Sequence, residues 1–297
     1  MIGKLMTALA FLVIGLAPFA GDAAAEEVTI GIQPLTGQIY MLTGQGGNLG
    51  LLVGADGTFL IDDQYAPLTG KILAAIKSVG GEQPKFLINT HYHADHTGGN
   101  ENLGRGGSLI FSHDNVRERL ARGSYVAPFK MKNPAADSKG LPVVTFGEDL
   151  SFHLNGETVH AIHVPHAHTD GDSFIHFQSA NVIHAGDIFF NGIYPFIDVP
   201  HGGSLKGMMQ AAERILALAD AQTKIIPGHG PLADKAQLIR YREMLGVAYE
   251  RLIELRVAGK TVEEAVAAKP LADLEETWGG GFLSGDRWVE LVYGGVY

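Results

Sequence analysis

Residues 91–96 read His91-Tyr92-His93-Ala94-Asp95-His96 and begin three residues after the apolar run 86–88, Phe-Leu-Ile. These imidazoles and the carboxylate cannot all fill a core, because together they would leave several buried polar groups unsatisfied. On a tight loop at a strand end they can converge on metal, and a merely solvated loop would not need this density of ligand groups. His91 and His93 can point in one direction. Asp95 and His96 then reach a second point nearby, which favours two adjacent ions over one.

Three further segments with metal-binding side chains each follow a predicted strand. They are Pro165-His166-Ala167-His168-Thr169-Asp170-Gly171-Asp172, His184-Ala185-Gly186-Asp187 and Pro227-Gly228-His229-Gly230-Pro231. Loops at one edge of a sandwich can meet in space, which is where metal and catalytic residues tend to collect. The sequence contains no cysteine, so any metal site must consist of His, Asp and Glu side chains.

The four motifs together resemble those of the metallo-β-lactamase superfamily of hydrolases. The match consists of HxHxDH at 91–96, a histidine at 168 within HTDGD, an aspartate at 187 within AGD and a histidine at 229 within PGHG. Order and spacing fit over residues 30–235. The resemblance implies that two zinc ions bind per chain: the first to His91, His93 and His168, and the second to Asp95, His96 and His229. Asp187 would bridge the two ions.

The resemblance also implies a mechanism. Two metal ions share a water or hydroxide, lower its pKa towards neutrality and direct it at a carbonyl carbon. No protein nucleophile is needed, which agrees with the absence of cysteine and of a GxSxG serine motif. Asp95 is expected to be catalytic as well as a ligand, because it can orient the nucleophile or pass its proton onward.

The choice of substrate stays open between several branches of this superfamily. The first 25 residues resemble a signal peptide and predict export from the cytoplasm. Export favours a β-lactamase-like enzyme that acts on a cyclic amide or ester. β-Lactamases of this fold, however, typically have Cys or Ser where Asp187 stands, and many have a lysine shortly afterwards, whereas here residues 188–191 are Ile-Phe-Phe-Asn. Turnover of β-lactams is therefore expected to be weak or secondary. The alternatives are a lactonase or esterase, a glyoxalase II-like thioesterase, and a metal-binding module without enzymatic activity.

Three residues near the motifs have two readings each. Tyr194 follows Asp187 by seven residues, so its phenol is a candidate catalytic donor to the carbonyl or leaving oxygen; alternatively it packs in a loop with neighbouring aromatic residues. His166 and His184 lie beside predicted ligands and can either orient a ligand or have a structural role.

The order of elements predicts the fold. Strands followed by helices occur twice along the chain, which fits an α/β fold of two mixed sheets flanked by helices, an αββα sandwich. Residues 205–218 form an amphipathic helix by their apolar spacing, and residues 181–184 form a short strand. Residues 123–147 lack a clear pattern and form either a connection or a flap over the site. No composition break divides residues 26–297, which are expected to form one hydrolase domain.

The first 25 residues have the features of a secretory signal peptide. Lys4 precedes an apolar run from Leu5 to Ala20, and Ala23-Ala24-Ala25 matches a cleavage site. The run is too short for a typical membrane span, so a soluble periplasmic protein without a stable membrane anchor is expected. The net charge of −10 makes nucleic acid an unfavourable partner and leaves a small-molecule substrate. The sequence does not indicate the oligomeric state.

Overall fold

The computed structural model describes residues 28–296. The predicted signal peptide, residues 1–25, lies outside the described residues. Fifteen strands occur in the described part of the chain: β1 (Gly31–Thr36), β2 (Ile39–Thr43), β3 (Leu49–Leu52), β4 (Phe59–Ile61), β5 (Phe86–Ile88), β6 (Leu109–His113), β7 (Ser124–Val126), β8 (Met131–Asn133), β9 (Val144–Phe146), β10 (Asp149–Leu154), β11 (Glu157–His163), β12 (Ser173–Phe177), β13 (Val182–Phe190), β14 (Lys224–His229) and β15 (Ala233–Asp234).

These strands form two large sheets and one hairpin. The first sheet has the order β1-β2-β3-β4-β5-β6-β9, antiparallel up to β4 and parallel from there. The second sheet has the order β10-β11-β12-β13-β14-β15, in which only β13 and β14 run parallel. Strands β7 and β8 pair with each other as an antiparallel hairpin. Parallel pairing places the ends of β4 and β5 together in one sheet, and those of β13 and β14 together in the other.

Nine α-helices occur within residues 28–296: α1 (Thr69–Ser78), α2 (Ala94–Thr97), α3 (Asn100–Arg105), α4 (Asp114–Arg122), α5 (Leu205–Leu218), α6 (Lys235–Val257), α7 (Val262–Ala267), α8 (Glu275–Trp278) and α9 (Gly285–Val292). The longest, α6, begins with a reciprocal pair of hydrogen bonds between Asp234 and Gln237 that satisfies free amides at its N-terminus. Over the described residues, none of these helices combines the length and apolar character that a membrane crossing requires.

Three apolar layers hold the sheets and helices together. Successive side chains of a strand point to opposite faces, and β4 shows this directly. Its Phe59 and Ile61 face the core between the two sheets, whereas Leu60 faces the core under α1. On the outer side of the second sheet, Ile183 and Ile225 belong to the core beneath α5 and α6. The layers are therefore helix, sheet, sheet, helix, and the predicted αββα sandwich is confirmed.

Most local predictions agree with the structure, and two need correction. Helix α5 has the predicted bounds, residues 205–218. The strand predicted for residues 181–184 continues as β13 to Phe190, because Gly186 with φ +52° allows an irregularity after which residues 188–190 are buried. Residues 123–147 contain the β7–β8 hairpin as well as β9. Residues of this hairpin and of its turn line the cavity at the candidate site, as the flap alternative predicted.

Candidate metal centre

The seven predicted metal-ligating residues lie together at one end of the two sheets. His91, His93, Asp95 and His96 follow β5, whereas His168 lies in the loop after β11. Asp187 lies within β13, and His229 is the last residue of β14. The side chains form two groups in which all ligand atoms lie within 4.8 Å of one another. The first group is His91, His93, His168 and Asp187, and the second is Asp95, His96 and His229.

The first group is buried and faces one oxygen of Asp187. Nδ1 of His93 lies 3.1 Å from Nε2 of His91 and 2.8 Å from Nε2 of His168. Asp187 Oδ2 lies 3.4 Å from His168 Nε2 and 3.7 Å from His91 Nε2. Three imidazole nitrogens and one carboxylate oxygen therefore converge on a single point.

The second group faces the other oxygen of Asp187. Oδ1 lies 3.0 Å from His96 Nε2 and 3.4 Å from His229 Nε2. Asp95 Oδ2 completes the group at 3.3 Å from His229 Nε2 and 3.6 Å from His96 Nε2. Asp187 thus lies between the groups and divides its two oxygens between them, as a bridging carboxylate would.

A buried carboxylate orients two of the imidazoles. Asp62 Oδ2 lies 2.8 Å from Nδ1 of His96, and the same carboxylate accepts hydrogen bonds from the backbone amide and hydroxyl of Thr90. The Thr90 hydroxyl oxygen in turn lies 3.1 Å from Nδ1 of His91. When each Nδ1 carries its proton towards these acceptors, the Nε2 lone pairs of His91 and His96 point into the two groups.

Corresponding contacts hold the other two buried histidines. Asp198 Oδ2 lies 2.9 Å from Nε2 of His93 and accepts a hydrogen bond of 2.5 Å from the Tyr92 hydroxyl. The carbonyl oxygen of Phe196 lies 2.7 Å from Nδ1 of His168. Asp62, Thr90 and Asp198 were not among the sequence-predicted site residues, although all three fix the direction of a ligand.

The electrostatics of the two groups differ. Burial is the main reason why the pKa of His91 lies well below its ordinary value and why that of His168 falls to about 4. These imidazoles are therefore neutral near pH 7, which is the form that binds metal. Burial also acts on His229, but the carboxylates of Asp187 and Asp95 outweigh it and raise the pKa of His229 to about 9.

The residues present fit a divalent metal centre. Asp187 Oδ1 is buried and has no hydrogen-bond partner of suitable alignment among residues 28–296. Burial opposes its charge, but His96 and His229 hold the pKa of Asp187 well below its ordinary range, so it stays ionised. An ionised carboxylate oxygen without a hydrogen-bond donor, placed among converging imidazole nitrogens, forms a site that favours a cation. Nitrogen and oxygen donors without sulfur suit zinc or another borderline divalent metal.

A cavity of about 360 Å³ opens above the two groups, within the size range of small-molecule sites. Its floor consists of His93, Asp95, Asp187 and His229. The walls are mainly apolar and aromatic and comprise Gln45, Tyr65, Val126, Phe129, Met131, Phe190, Phe196 and Phe282. Three of these residues, Val126, Phe129 and Met131, come from the β7–β8 hairpin and the turn between its strands, so residues 123–147 include a flap over the site.

The structure does not place Tyr194 at this cavity. Its ring is buried and stacks on Trp288, with centroids 5.2 Å apart, and its hydroxyl lies next to Gly285. Beyond Phe190 the chain turns away from the ligands, so Tyr194 fills the core under the C-terminal helices. The predicted catalytic role of Tyr194 is therefore wrong, and the packing alternative is correct.

The hydrogen bonds of His166 and His184 go to backbone groups and not to predicted ligand side chains. His166 is exposed, and its Nδ1 lies 3.0 Å from the carbonyl oxygen of Gly202. His184 is buried between the sheets' ends, with Nε2 3.0 Å from the Asn48 carbonyl oxygen and Nδ1 accepting from the Gly186 amide. Both histidines therefore have the structural role that was predicted as the alternative to orienting a ligand.

Comparison with known proteins identifies relatives that share this architecture. Residues 42–229 match the family model of the metallo-beta-lactamase superfamily. The beta-lactamase-like protein 2 homolog of Caenorhabditis elegans is 25% identical over 240 residues, which cover 75% of this chain and 73% of that protein. A metallo-beta-lactamase from Pontibacter korlensis has a TM-score of 0.62 at 19% identity, covering 73% of this chain and 99% of its own. The stereoselective inverting sec-alkylsulfatase Pisa1 from Pseudomonas sp. has a TM-score of 0.68 at 17% identity and covers 90% of this chain and 51% of its own.

Proposed function

The chain belongs to the metallo-β-lactamase superfamily, and from this premise we propose that it is a metal-dependent hydrolase of neutral carbonyl substrates, namely esters or lactones. Hydrolysis of β-lactams is at most a secondary activity. The observation that carries the proposal is the position of Asp187, whose two oxygens face two separate groups of ligands at the floor of one cavity.

Bound divalent cations would supply a water of lowered pKa and polarise the substrate carbonyl. The chain's own residues supply position and proton transfer. Asp95 is only partly buried and lines the cavity, so its carboxylate can hold the water and accept its proton. Asp62 and Asp198 keep the imidazoles fixed during turnover, and the apolar walls exclude bulk water from the rest of the substrate.

The charge of the cavity favours neutral substrates. Within residues 28–296, the cavity lining includes no lysine or arginine. A β-lactam carries a carboxylate, which a cationic side chain would have to balance. The positions directly after Asp187 are the buried Ile188, Phe189 and Phe190, so that part of the chain cannot supply the charge.

A metal-binding module without activity is less favoured than an enzyme. Asp95 and His229 are both partly exposed to the cavity, whereas the ligands of a purely structural site are closed off by protein. A storage site would also not require a cavity of ligand size directly next to the predicted ligands.

Hydrolysis of alkyl sulfates is a second candidate. The likeness to the sec-alkylsulfatase extends over 90% of this chain, further than the likeness to the β-lactamase reported above. An alkyl sulfate also has an apolar chain that this cavity could accommodate. Its sulfate is anionic, however, and the lack of a cationic side chain in the cavity lining favours carboxylic esters and lactones.

The test is a substrate screen of the zinc-loaded protein with aryl esters, lactones, thioesters, β-lactams and alkyl sulfates. We expect turnover of esters or lactones that a chelator abolishes and zinc restores. Asp187→Ala should lower both metal content and kcat, the latter by about 10²-fold or more, while circular dichroism stays unchanged. Asp149→Ala, which alters an exposed carboxylate on β10, is the matched control and should retain activity. Metal binding without turnover of any ester or lactone would refute the proposal.

A further inference from the structure

The flap presents one face of a short hairpin to the cavity. Val126 and Met131 lie opposite each other in the β7–β8 pair and both line the cavity, whereas the adjacent Tyr125 points outward and is 54% exposed. Between the two strands, Phe129 packs edge-on against Phe196 with ring centroids 4.9 Å apart. The hairpin is therefore held against the cavity wall by an aromatic contact.

A second segment reaches the cavity mouth from the C-terminal part of the chain. Phe282 lies in the loop between α8 and α9, with its ring 6.0 Å from that of Phe129 and 6.4 Å from that of Phe190. The loop is closely packed, because a Cβ at Gly281 would lie only 2.8 Å from the side chain of Ile193. The position of Phe282 is thus fixed by the backbone that precedes it.

These rings continue directly to the ligand groups. Phe190 stacks on His229 with centroids 4.9 Å apart, and Phe196 lies 5.7 Å from the ring of His93. One apolar surface therefore extends from the ligands to the mouth of the cavity, where Phe129 and Phe282 face each other.

The two residues at the mouth are only partly covered by protein. Phe129 is 41% exposed and Phe282 is 53% exposed. Large apolar side chains that remain exposed next to each other at a cavity mouth usually mark a binding surface. This apolar surface begins at the metal-ligand groups. It therefore fits the apolar part of a substrate whose reactive group lies at the metal-ligand groups.

We propose that Phe129 and Phe282 form a specificity rim that binds an apolar chain of the substrate. This inference rests on the proposed function and narrows its substrate class to esters or lactones with an extended alkyl or acyl chain. Phe129 and Phe282 already contact each other, with ring centroids 6.0 Å apart. The chain would therefore run along the apolar wall to the mouth and lie across both rings, and its burial would cover their exposed surfaces. The rim residues select the substrate by its chain length and do not take part in the chemistry.

The rim can be tested without turnover. The probes are alkan-2-ones from pentan-2-one to decan-2-one, which carry a carbonyl and an apolar chain but cannot be hydrolysed. Their affinities are measured by displacement of the fluorophore N-phenyl-1-naphthylamine, from both the zinc-loaded and the chelator-treated protein. Full burial of each added methylene predicts an affinity gain of about fourfold in the wild type.

Phe129→Ala and Phe282→Ala should each reduce this gain to about twofold per methylene, because about half of the apolar surface that covers the chain at the mouth is then lost. Tyr125→Ala removes an aromatic ring from the outer face of the same hairpin and should keep the wild-type gain. Circular dichroism establishes that all three variants are folded. Equal gains per methylene in wild type, Phe129→Ala and Phe282→Ala would overturn the rim.

The outcomes separate this inference from the proposed function. If p-nitrophenyl esters are hydrolysed but KM shows the same chain-length dependence in all variants, the rim fails and the hydrolase stands. If the ketones bind with a gain that depends on Phe129 and Phe282 but no ester or lactone is turned over, the hydrolase fails and the rim stands. If both hold, loss of either phenylalanine should raise KM for long-chain esters much more than it changes kcat.

Discussion

Gly228 leaves the space that the carboxylate of Asp187 occupies. A Cβ at position 228 would lie 2.0 Å from Oδ1 of Asp187 and 2.7 Å from the carbonyl carbon of Gly186. The second of these contacts is with backbone, which cannot move aside like the end of a flexible side chain. The PGHG motif therefore has two roles. It supplies His229 as a predicted ligand, and its Gly228 leaves room for the side chain of Asp187 between the two ligand groups.

Gly228→Ala should displace Asp187 and weaken metal binding. We expect a loss of zinc affinity of at least about tenfold and a destabilisation of about 1–3 kcal/mol from overpacking. Gly70→Ala is the control, because a Cβ at this exposed position in α1 contacts nothing within 4 Å. It should leave zinc affinity unchanged and stabilise the helix by up to about 1 kcal/mol. Zinc titration and thermal unfolding of both variants measure these effects; wild-type zinc affinity in Gly228→Ala would contradict the steric argument.

Residues that bind and residues that orient differ in how readily the sequence reveals them. The seven predicted ligands lie in short sequence motifs, some within a strand and some after one, and such motifs are visible in the sequence itself. Asp62 and Asp198 are separated from the histidines that they orient by 34 and 105 residues, and no local pattern marks them. Tyr194 was misassigned for a related reason. Its short sequence distance from Asp187 does not reveal that the chain turns away from the site after Phe190.

At the scale of the elements, two histidines join a strand end of each sheet. His113 ends β6, and its Nδ1 accepts a hydrogen bond from the Asn115 amide at the start of α4. His163 ends β11, and the two rings stack with centroids 3.6 Å apart and planes 10° apart. Protonation of either ring would place a charge against the other.

The stack should make stability depend on pH. Burial and the neighbouring His113 lower the pKa of His163 to about 4, with Arg214 acting in the same direction and Asp170 against it. An unfolded imidazole has a pKa of about 6.5, so the unfolded chain takes up the proton first as the pH falls. The contribution of His163 is complete above pH ~6.5 and is lost between there and pH ~4. Since the ring is partly exposed, we expect a loss of about 1–2 kcal/mol.

His163→Phe keeps an aromatic ring but cannot titrate. Its free energy of unfolding, measured by urea denaturation, should therefore fall by about 1–2 kcal/mol less than that of the wild type between pH 7 and pH 4. The variant also loses the contact between His163 Nδ1 and the Asp172 carbonyl, so the pH dependence is compared and not the absolute stability. His153→Phe, at an exposed position on β10, should retain the wild-type pH dependence. The same dependence in all three proteins would exclude the stack as the cause.

Elements with a clear apolar period were predictable, and those that depend on distant contacts were not. Helix α5 has the predicted bounds because its own side chains form one buried face. The β7–β8 hairpin is too short to show such a pattern: its Val126 and Met131 line the cavity and pack against the core of the second half of the chain. Helices α8 and α9 are short, and their positions depend on Trp278 and Trp288, which pack into the core of the second half of the chain.

For the whole molecule, the candidate metal centre lies where the two sheets meet. His91, His93, Asp95 and His96 follow a strand of the first sheet, whereas His168, Asp187 and His229 belong to the second. The αββα order could be predicted from the repeated sequence of strands and helices. That the motifs meet was expected from their position after strands at one edge of a sandwich. The backbone hydrogen bonds that join the sheets there, such as Asn48 N to Gly228 O at 2.7 Å, could not be foreseen.

A metal held by ligands from both sheets should stabilise the whole fold, because unfolding would have to release it. At free zinc a hundredfold above its Kd, the free energy of unfolding should rise by about 2.7 kcal/mol relative to the chelator-treated protein. Denaturation midpoints over a zinc series measure this, and magnesium, which prefers oxygen ligands, should leave the midpoint nearly unchanged. His91→Ala and His168→Ala, which remove a ligand from the first and the second sheet respectively, should each lose most of the zinc effect. A zinc effect that survived in one of them would show that the ion is held by one sheet alone, and equal midpoints with zinc and with chelator would contradict a metal link between the sheets.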